Sequence, residues 1–170
     1  MTARRPLVGS AAELARLDAE ELAFLTQIDI RVDASAAAAL GFPSRPNTTT
    51  LWKGADVLWL GPDEWLVVAE AGSAAGLLAD LEAALGTGHR SVLDVSASRV
   101  AFELRGPDRL ELLASACPLD LHPRSWTEGR CAQTVFGAAQ VLLHERGGAT
   151  RVFVRPSFGD YVVGLLLAAS

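Results

Sequence analysis

The chain has 170 residues, a formal net charge of −5 and a single lysine among its 15 basic residues. Because nucleic-acid binders concentrate basic side chains on one surface, this composition excludes a phosphate-backbone binder. Half of the residues are hydrophobic, which excludes a disordered chain. No apolar run reaches the roughly 20 residues that a membrane helix needs. The first residues lack an apolar signal region, so the expected location is the cytoplasm.

The segment 1–40 is predicted to be a helical N-terminal extension. The spacing of Ser10 and Glu13 is typical of a capping box, and leucines at near-helical intervals predict a helix over 11–25. Asp33 is expected to cap a second, alanine-rich helix that ends at Gly41. The prolines of the next segment, 41–47, predict an extended connector.

The rest of the chain, 41–170, is predicted to be an α+β core, so that 1–170 forms a single domain. The β-rich segments predict strands, and apolar residues at helical spacing predict a helix over 77–85. The segment 133–144 is expected to form one long strand of a hairpin around Gly147. Ser157 and Asp160 are predicted to cap the last helix. Predicted strands lie at 48–51, 56–60, 65–69, 91–95, 99–104 and 151–155. Strand pairs separated by helices favour antiparallel sheet units with helices packed on one face.

The cysteines and histidines do not match a metal motif. Structural zinc sites bring ligands in close pairs such as C-x2-C, whereas Cys117 and Cys131 lie far apart in the sequence. Both cysteines are expected to be reduced and partly buried thiols. His89, His122 and His144 are interpreted as loop or surface residues.

Three carboxylates stand out in the sequence. Asp63 and Glu64 occupy a predicted turn, where neighbouring side chains point apart and are well solvated, so a general-acid role is disfavoured. Asp94 follows an apolar segment and must be exposed or paired. An ion pair with Arg90 or Arg99 is the favoured interpretation.

Four tryptophans are candidates for core or interface positions. Trp59 and Trp65 flank the predicted turn and fit a core. Trp52 and Trp126 lie in less regular, polar segments, where an indole ring is equally compatible with a role as an interface anchor.

A series of short motifs resembles the gamma subunit family of heterotetrameric sarcosine oxidase over roughly 40–168. The order and spacing of these motifs carry the resemblance, since each motif alone is common. They are Pro46-Asn47, Leu60-Gly-Pro-Asp-Glu-Trp-Leu66, Leu93-Asp-Val-Ser96, Leu104-Arg-Gly-Pro107, Cys117-Pro-Leu-Asp-Leu121, Gly129-Arg-Cys-Ala132 with Thr134, and Arg155-Pro-Ser-Phe158.

The resemblance implies a fold like the N-terminal part of the folate-binding aminomethyltransferases. It also implies an accessory chain in a complex of alpha, beta, gamma and delta subunits, with the large alpha subunit as its chief partner. Such a complex demethylates sarcosine oxidatively to glycine, transfers the one-carbon unit to tetrahydrofolate and forms hydrogen peroxide. The resemblance assigns FAD, FMN, NAD, tetrahydrofolate and zinc to the other subunits.

The chain departs from a working aminomethyltransferase at two positions. The carboxylate of that family aligns with Lys53-Gly54, and an expected asparagine aligns with Ala69. We therefore predict no catalytic, cofactor-binding or metal-binding residue on this chain, and Asp56 and Asp63 are the carboxylates to test against this prediction.

Three alternatives stay open. The first is a free-standing folate-binding aminomethyltransferase-like protein. The second is the equivalent subunit of a related N-methyl amino acid oxidase or dehydrogenase. A folate-like module of iron–sulfur maintenance is disfavoured, because the Lys-Gly-Cys motif of that branch is not found.

Overall fold

The computed structural model describes residues 10–170, and the Cα positions group into two compact units. Among the described residues, unit 1 comprises 10–23, 98–128 and 133–170, and unit 2 comprises 24–97 and 129–132. Residues 1–9, with which the predicted N-terminal extension begins, lie outside the described residues. Because unit 1 is assembled from three segments, neither unit corresponds to the predicted division at residue 41.

The described residues form ten strands, five α-helices and one 3₁₀ turn. The strands are β1 (Ala19–Leu22), β2 (Thr26–Arg31), β3 (Thr49–Trp52), β4 (Ala55–Gly61), β5 (Glu64–Ala69), β6 (Ser91–Asp94), β7 (Val100–Leu104), β8 (Cys131–Phe136), β9 (Ala139–Arg146) and β10 (Ala149–Val154). The helices are α1 (Ala11–Arg16), α2 (Ala34–Ala39), α3 (Ala74–Leu85), α4 (Arg109–Ala114) and α5 (Gly159–Ala169), and the 3₁₀ turn is Pro156–Phe158.

The predicted helical extension is wrong over most of its described part. The capping box of Ser10 and Glu13 is present, but α1 ends at Arg16 and is followed by two strands. Strand β1 pairs antiparallel with β7, and β2 pairs with β5 and β6. Strand partners that are distant in the sequence therefore override the local helical spacing of the leucines.

Unit 2 contains a five-stranded sheet in the order β3-β4-β5-β2-β6, with antiparallel pairing throughout. One face of this sheet carries Ile28, Ile30 and Val67, which form a buried core with Leu77 and Leu81 of α3. Helix α2 begins at the Asp33 cap, whose carboxylate accepts hydrogen bonds from two amides of the first turn. The predicted helix at 77–85 is confirmed within α3.

Unit 1 contains a second five-stranded sheet, in the order β1-β7-β10-β9-β8. The long strand predicted at 133–144 is wrong, because Gly137 has a φ of +57° and turns the chain between β8 and β9. The predicted capping box at Ser157 is also wrong. That segment forms the 3₁₀ turn, and α5 starts at Gly159 without a side-chain cap.

The α+β class with antiparallel sheet units and packed helices is confirmed. Both sheets are antiparallel, and the longest helix of the described chain, α3, has 12 residues. Within residues 10–170, each helix falls short of the length and apolar character that a segment crossing a bilayer needs.

Candidate functional site

The position that aligns with the aminomethyltransferase carboxylate is the tip of a hairpin. Lys53 and Gly54 connect β3 to β4 with φ angles of +48° and +83°, as in a tight two-residue turn. The Lys53 ammonium lies 2.8 Å from a carboxylate oxygen of Asp80 and 5.3 Å from the ring centroid of Trp52. A cation paired with Asp80 therefore occupies this hairpin tip.

The second aligned position, Ala69, ends β5 and packs against the core of unit 2. A methyl group supplies neither a donor nor an acceptor to a pteridine. Lys53 and Ala69 therefore bring neither a carboxylate nor an amide side chain to these two positions.

The two carboxylates chosen for testing do not converge. Asp56 is 7% exposed near the start of β4, opposite Val68, whereas Asp63 is exposed in the turn that follows the same strand. Asp56 and Gly61, the last residue of the strand, are five residue steps of extended chain apart, a distance of roughly 17 Å. A paired acid and base made of Asp56 and Asp63 is therefore excluded.

Glu64 is not the solvated turn residue that the sequence predicts. It is the first residue of β5, and its carboxylate lies 2.8 Å from the guanidinium of Arg31 on β2. Burial, followed by the nearby charge of Asp29, raises the pKa of Glu64. The sequence carried no signal for this cluster, because Asp29, Arg31 and Glu64 meet only through the register of two strands.

The predicted ion pair of Asp94 with Arg90 is not formed. Asp94 is exposed and accepts hydrogen bonds from the amide and the hydroxyl of Ser96, and both bonds lower the pKa of Asp94. Arg90 pairs instead with Glu82 of α3. The other possibility considered for Asp94, exposure to solvent, is the one observed.

Both cysteines are free and buried, as predicted. The Cys131 thiol donates toward the carbonyl oxygens of Thr48 and Trp59, at 3.4 and 3.5 Å. Burial raises the pKa of Cys131 to about 12. Because the thiolate is the reactive form of cysteine, this thiol is chemically inert in the folded chain.

The prediction that all histidines lie in loops or at the surface is wrong for His144. His89 and His122 are exposed, but His144 lies inside β9 with 1% of its surface exposed. Desolvation, together with Arg151 and Arg146, lowers its pKa to about 3. Among the described residues, no three His, Cys, Asp or Glu side chains lie close enough to hold a metal ion.

A buried polar network in unit 1 centres on Glu145. Its carboxylate accepts hydrogen bonds from Arg109 at 2.5 Å, from the indole of Trp126 at 3.0 Å and from the hydroxyl of Thr150 at 2.5 Å. Trp126 is 5% exposed, so it is a core residue and not an interface anchor. Trp52 is half-buried against the ring of Phe42.

Unit 1 also contains an open cleft of about 680 Å³ beside α4. Three arginines and three acids line it: Arg16, Arg105, Arg109, Asp18, Asp108 and Glu111. Arg105 already pairs with Glu20 and Glu103, and Arg109 with Glu145. Two of the three arginines that line the cleft are therefore already paired with acids.

Comparison with known proteins decides the family. The family model described as "Sarcosine oxidase, gamma subunit family" matches residues 26–170. The chain belongs to the sarcosine oxidase gamma subunit family. It is similar to a sarcosine oxidase subunit gamma of Arthrobacter sp., with 39% identity over 159 residues that cover 88% of the chain and 77% of the relative. A sarcosine oxidase subunit gamma of Corynebacterium sp. (strain P-1) is 36% identical over 171 residues, with 95% and 82% covered.

Solved structures support the same family. A chain of the heterotetrameric sarcosine oxidase from Corynebacterium sp. U-96, in complex with pyrrole 2-carboxylate, superposes with a TM-score of 0.82 and 34% identity. The match covers 98% of this chain and 94% of that one. The predicted function as a gamma subunit of sarcosine oxidase is confirmed by these matches.

The aminomethyltransferase part of the prediction is confirmed at the level of the fold. Aminomethyltransferase T of the glycine cleavage system from Bartonella henselae has a TM-score of 0.70 at 13% identity. The match covers 92% of this gamma-family chain and 48% of the transferase.

Proposed function

We propose that this gamma-family chain is a non-catalytic accessory subunit, which supports the assembly of a heterotetrameric sarcosine oxidase in the cytoplasm. Its partners are the alpha, beta and delta subunits, chiefly the large alpha subunit. FAD, FMN, NAD, tetrahydrofolate and zinc belong to those partners, and this chain holds no catalytic, cofactor-binding or metal-binding residue.

The observation that carries this function is the family match over 26–170 combined with the hairpin tip at Lys53-Gly54. The match assigns the chain to a subunit family. The hairpin presents an ammonium, already paired with Asp80, where an aminomethyltransferase-type reaction would need an acid. A folate scaffold without its acid can contribute structure to a complex but no proton transfer.

Co-expression tests the assembly role. The chain produced alone is expected to self-associate or precipitate, and production with the companion subunits is expected to rescue it into a stoichiometric complex. A soluble monomer without affinity for the companion subunits would contradict this function.

Titration with tetrahydrofolate tests the non-catalytic role, with tryptophan fluorescence as the readout. The isolated chain is expected to show no saturable change. Micromolar binding would favour the alternative of a free-standing folate-binding protein. The Lys53→Asp variant restores a carboxylate at the aligned position, and Lys53→Ala is its matched control for loss of the ammonium alone.

We further propose that residues 1–170 behave as one domain. Each unit is assembled from segments that are discontinuous in sequence. Trp52, Trp59 and Trp65 report on unit 2, and Trp126 reports on unit 1. In a background with Trp126→Phe, the remaining fluorescence and the far-ultraviolet circular dichroism should therefore show coincident urea transitions.

A further inference from the structure

Strand β6 ends the sheet of unit 2 with one side open. Strand β2 lies on its inner side, and among the described residues no strand lies on its outer side. The amide of Val95 donates to the carbonyl of Gln27 at 2.8 Å, which makes this a hydrogen-bonded pair of the antiparallel ladder. Such pairs alternate along a ladder, so the main-chain groups of Val92 and Asp94 point away from the sheet. An exposed edge of this kind is a template for another strand.

Apolar side chains accompany this open edge. Leu93 is 57% exposed on β6, and Phe24 is 48% exposed. Phe24 and Asp94 line the same shallow cleft of about 400 Å³, together with the small residues Ala74 and Ala97. Successive side chains of a strand point to opposite faces, so Leu93 lies on the other face of the sheet from Asp94 and the cleft. A strand added to β6 would therefore meet Leu93 on one face and the cleft with Phe24 on the other.

The backbone of Phe24 gives a second, independent observation. Its φ is +47°, in the left-handed region that a bulky residue adopts only at a cost in free energy. Glycine would adopt this conformation freely, but the chain instead carries a half-exposed aromatic ring there. Because strained backbone positions cluster at functional sites, the strain at Phe24 points to a use for the exposed part of the ring.

Charge specifies the chemistry of the partner. Unit 2 contains nine carboxylates and five basic side chains, so it carries a net charge of −4, most of the −5 of the whole chain. Asp94 is exposed on the open edge, and its bonds from Ser96 keep the carboxylate ionised. A segment that pairs with this edge is complementary if it is apolar and carries lysine or arginine.

We propose that Phe24, Val92, Leu93, Asp94 and Ala97 form a docking surface, the β6 edge surface, for an extended, basic and apolar segment of a companion subunit. The segment adds a strand to β6, places an apolar side chain in the cleft beside Phe24 and pairs a cation with Asp94. This inference rests on the proposed function, because it assumes a companion subunit.

The chain offers a matched control on the opposite edge of the same sheet. Leu51 on β3 is 68% exposed, slightly more than Leu93. Leu93→Asp and Leu51→Asp therefore introduce the same charge at comparable exposed leucines. Phe24→Gly removes the ring and relaxes the strained backbone, so its folding is not impaired. Val92→Pro removes one outward amide without breaking a bond to β2, and Val92→Ala controls for the lost packing.

The test is competition for incorporation within one cell. A tagged variant and the untagged wild-type chain are co-expressed with the companion subunits, and the ratio of the two chains in the purified complex is measured. Leu93→Asp is expected to lower incorporation about thirtyfold, as for an interface hot spot, and Phe24→Gly and Val92→Pro about tenfold. Leu51→Asp and Val92→Ala should stay within about threefold of the wild type.

The outcomes separate this surface from the proposed function. Equal incorporation of all variants overturns the β6 edge surface and leaves the accessory function standing. An equal loss for Leu51→Asp and Leu93→Asp also overturns it, because the effect would then not be specific to β6. If the β6 variants lose self-association but are incorporated normally, the docking of a companion subunit is overturned, and the edge instead pairs two copies of this chain. If the wild-type chain itself is not incorporated, the proposed function fails, and this inference fails with it.

Discussion

The buried histidine of β9 predicts that the chain loses stability in mild acid. His144 is 1% exposed, and its Nδ1 has no hydrogen-bond partner among the described residues. It lies opposite Arg151 on β10. Burial lowers the pKa of the imidazole most, and Arg151 and Arg146 lower it further. Glu128 and Glu103 act more weakly in the opposite direction. The net result is a folded-state pKa of about 3, against an ordinary value of 6.5.

The sign of the effect follows from which state binds the proton. As the pH falls below 6.5, the unfolded chain protonates this imidazole while the folded chain keeps it neutral. The folded state therefore loses stability as the pH falls from 6.5 toward 3. Between pH 7.5 and pH 5, the two pKa values of 6.5 and about 3 correspond to a loss of about 2 kcal/mol in the free energy of unfolding.

The perturbation that isolates this effect is His144→Leu, which removes the titration and keeps an apolar side chain of similar size. At pH 7.5 this variant should be as stable as the wild type or slightly more stable, because an unsatisfied buried nitrogen is lost. At pH 5 it should exceed the wild type by about 2 kcal/mol. His144→Gln, which also cannot titrate, should show the same flat pH profile even if it packs less well.

Urea unfolding followed by tryptophan fluorescence at pH 7.5, 6 and 5 measures these differences. The lowest usable protein concentration should be chosen, because self-association adds to apparent stability. His89→Gln serves as the control, since an exposed imidazole is hydrated before and after unfolding, and the pH dependence should survive it. Equal pH profiles for the wild type and His144→Leu would refute the reasoning.

Three further predictions concern other positions of unit 1 and unit 2. Glu145→Gln leaves the guanidinium of Arg109 without its buried counter-charge and should cost about 3 kcal/mol in urea unfolding. The Cys131 thiol, with a pKa of about 12, should react with a thiol reagent at pH 8 only as fast as the chain unfolds; rapid reaction under native conditions would contradict its burial. Gly137→Ala would place a methyl 2.6 Å from the Tyr161 hydroxyl at a φ of +57°, and should lower stability by about 2 kcal/mol in thermal unfolding.

Local signals in the sequence predicted the elements of unit 2 well. The Asp33 cap, the helix at 77–85 and the turn predicted at 61–64 each depend on chemistry within a few residues. The structure contains all three, although the turn is confined to 62–63 and Glu64 begins β5. The errors occur where distant strands decide the outcome. The segment 19–22 has helical spacing but pairs with β7, and no local pattern carries information about that partner.

The chemistry of single side chains was harder to predict than the fold. His144 lies in a run of five consecutive buried residues of β9, 141–145, so both faces of the strand are covered there and an alternating pattern does not mark the histidine as buried. The partners of Glu145 come from three separate segments, so the buried network was invisible in the sequence. For the same reason the sequence left core and interface positions equally open for Trp126, whose indole donates to the carboxylate of a distant glutamate.

The distribution of polar and apolar groups supports the proposed accessory role. The half-buried acid Glu64 is paired with Arg31, the buried thiol of Cys131 is protonated, and Lys53 is neutralised by Asp80. A reactive group in a working site must keep an available electron pair or proton facing a cavity. The chain does present the exposed side chains of Phe24 and Leu93 on either side of an open main-chain edge, at β6. Covering such a surface with another polypeptide is favourable, because it buries the apolar side chains and pairs the open main-chain groups.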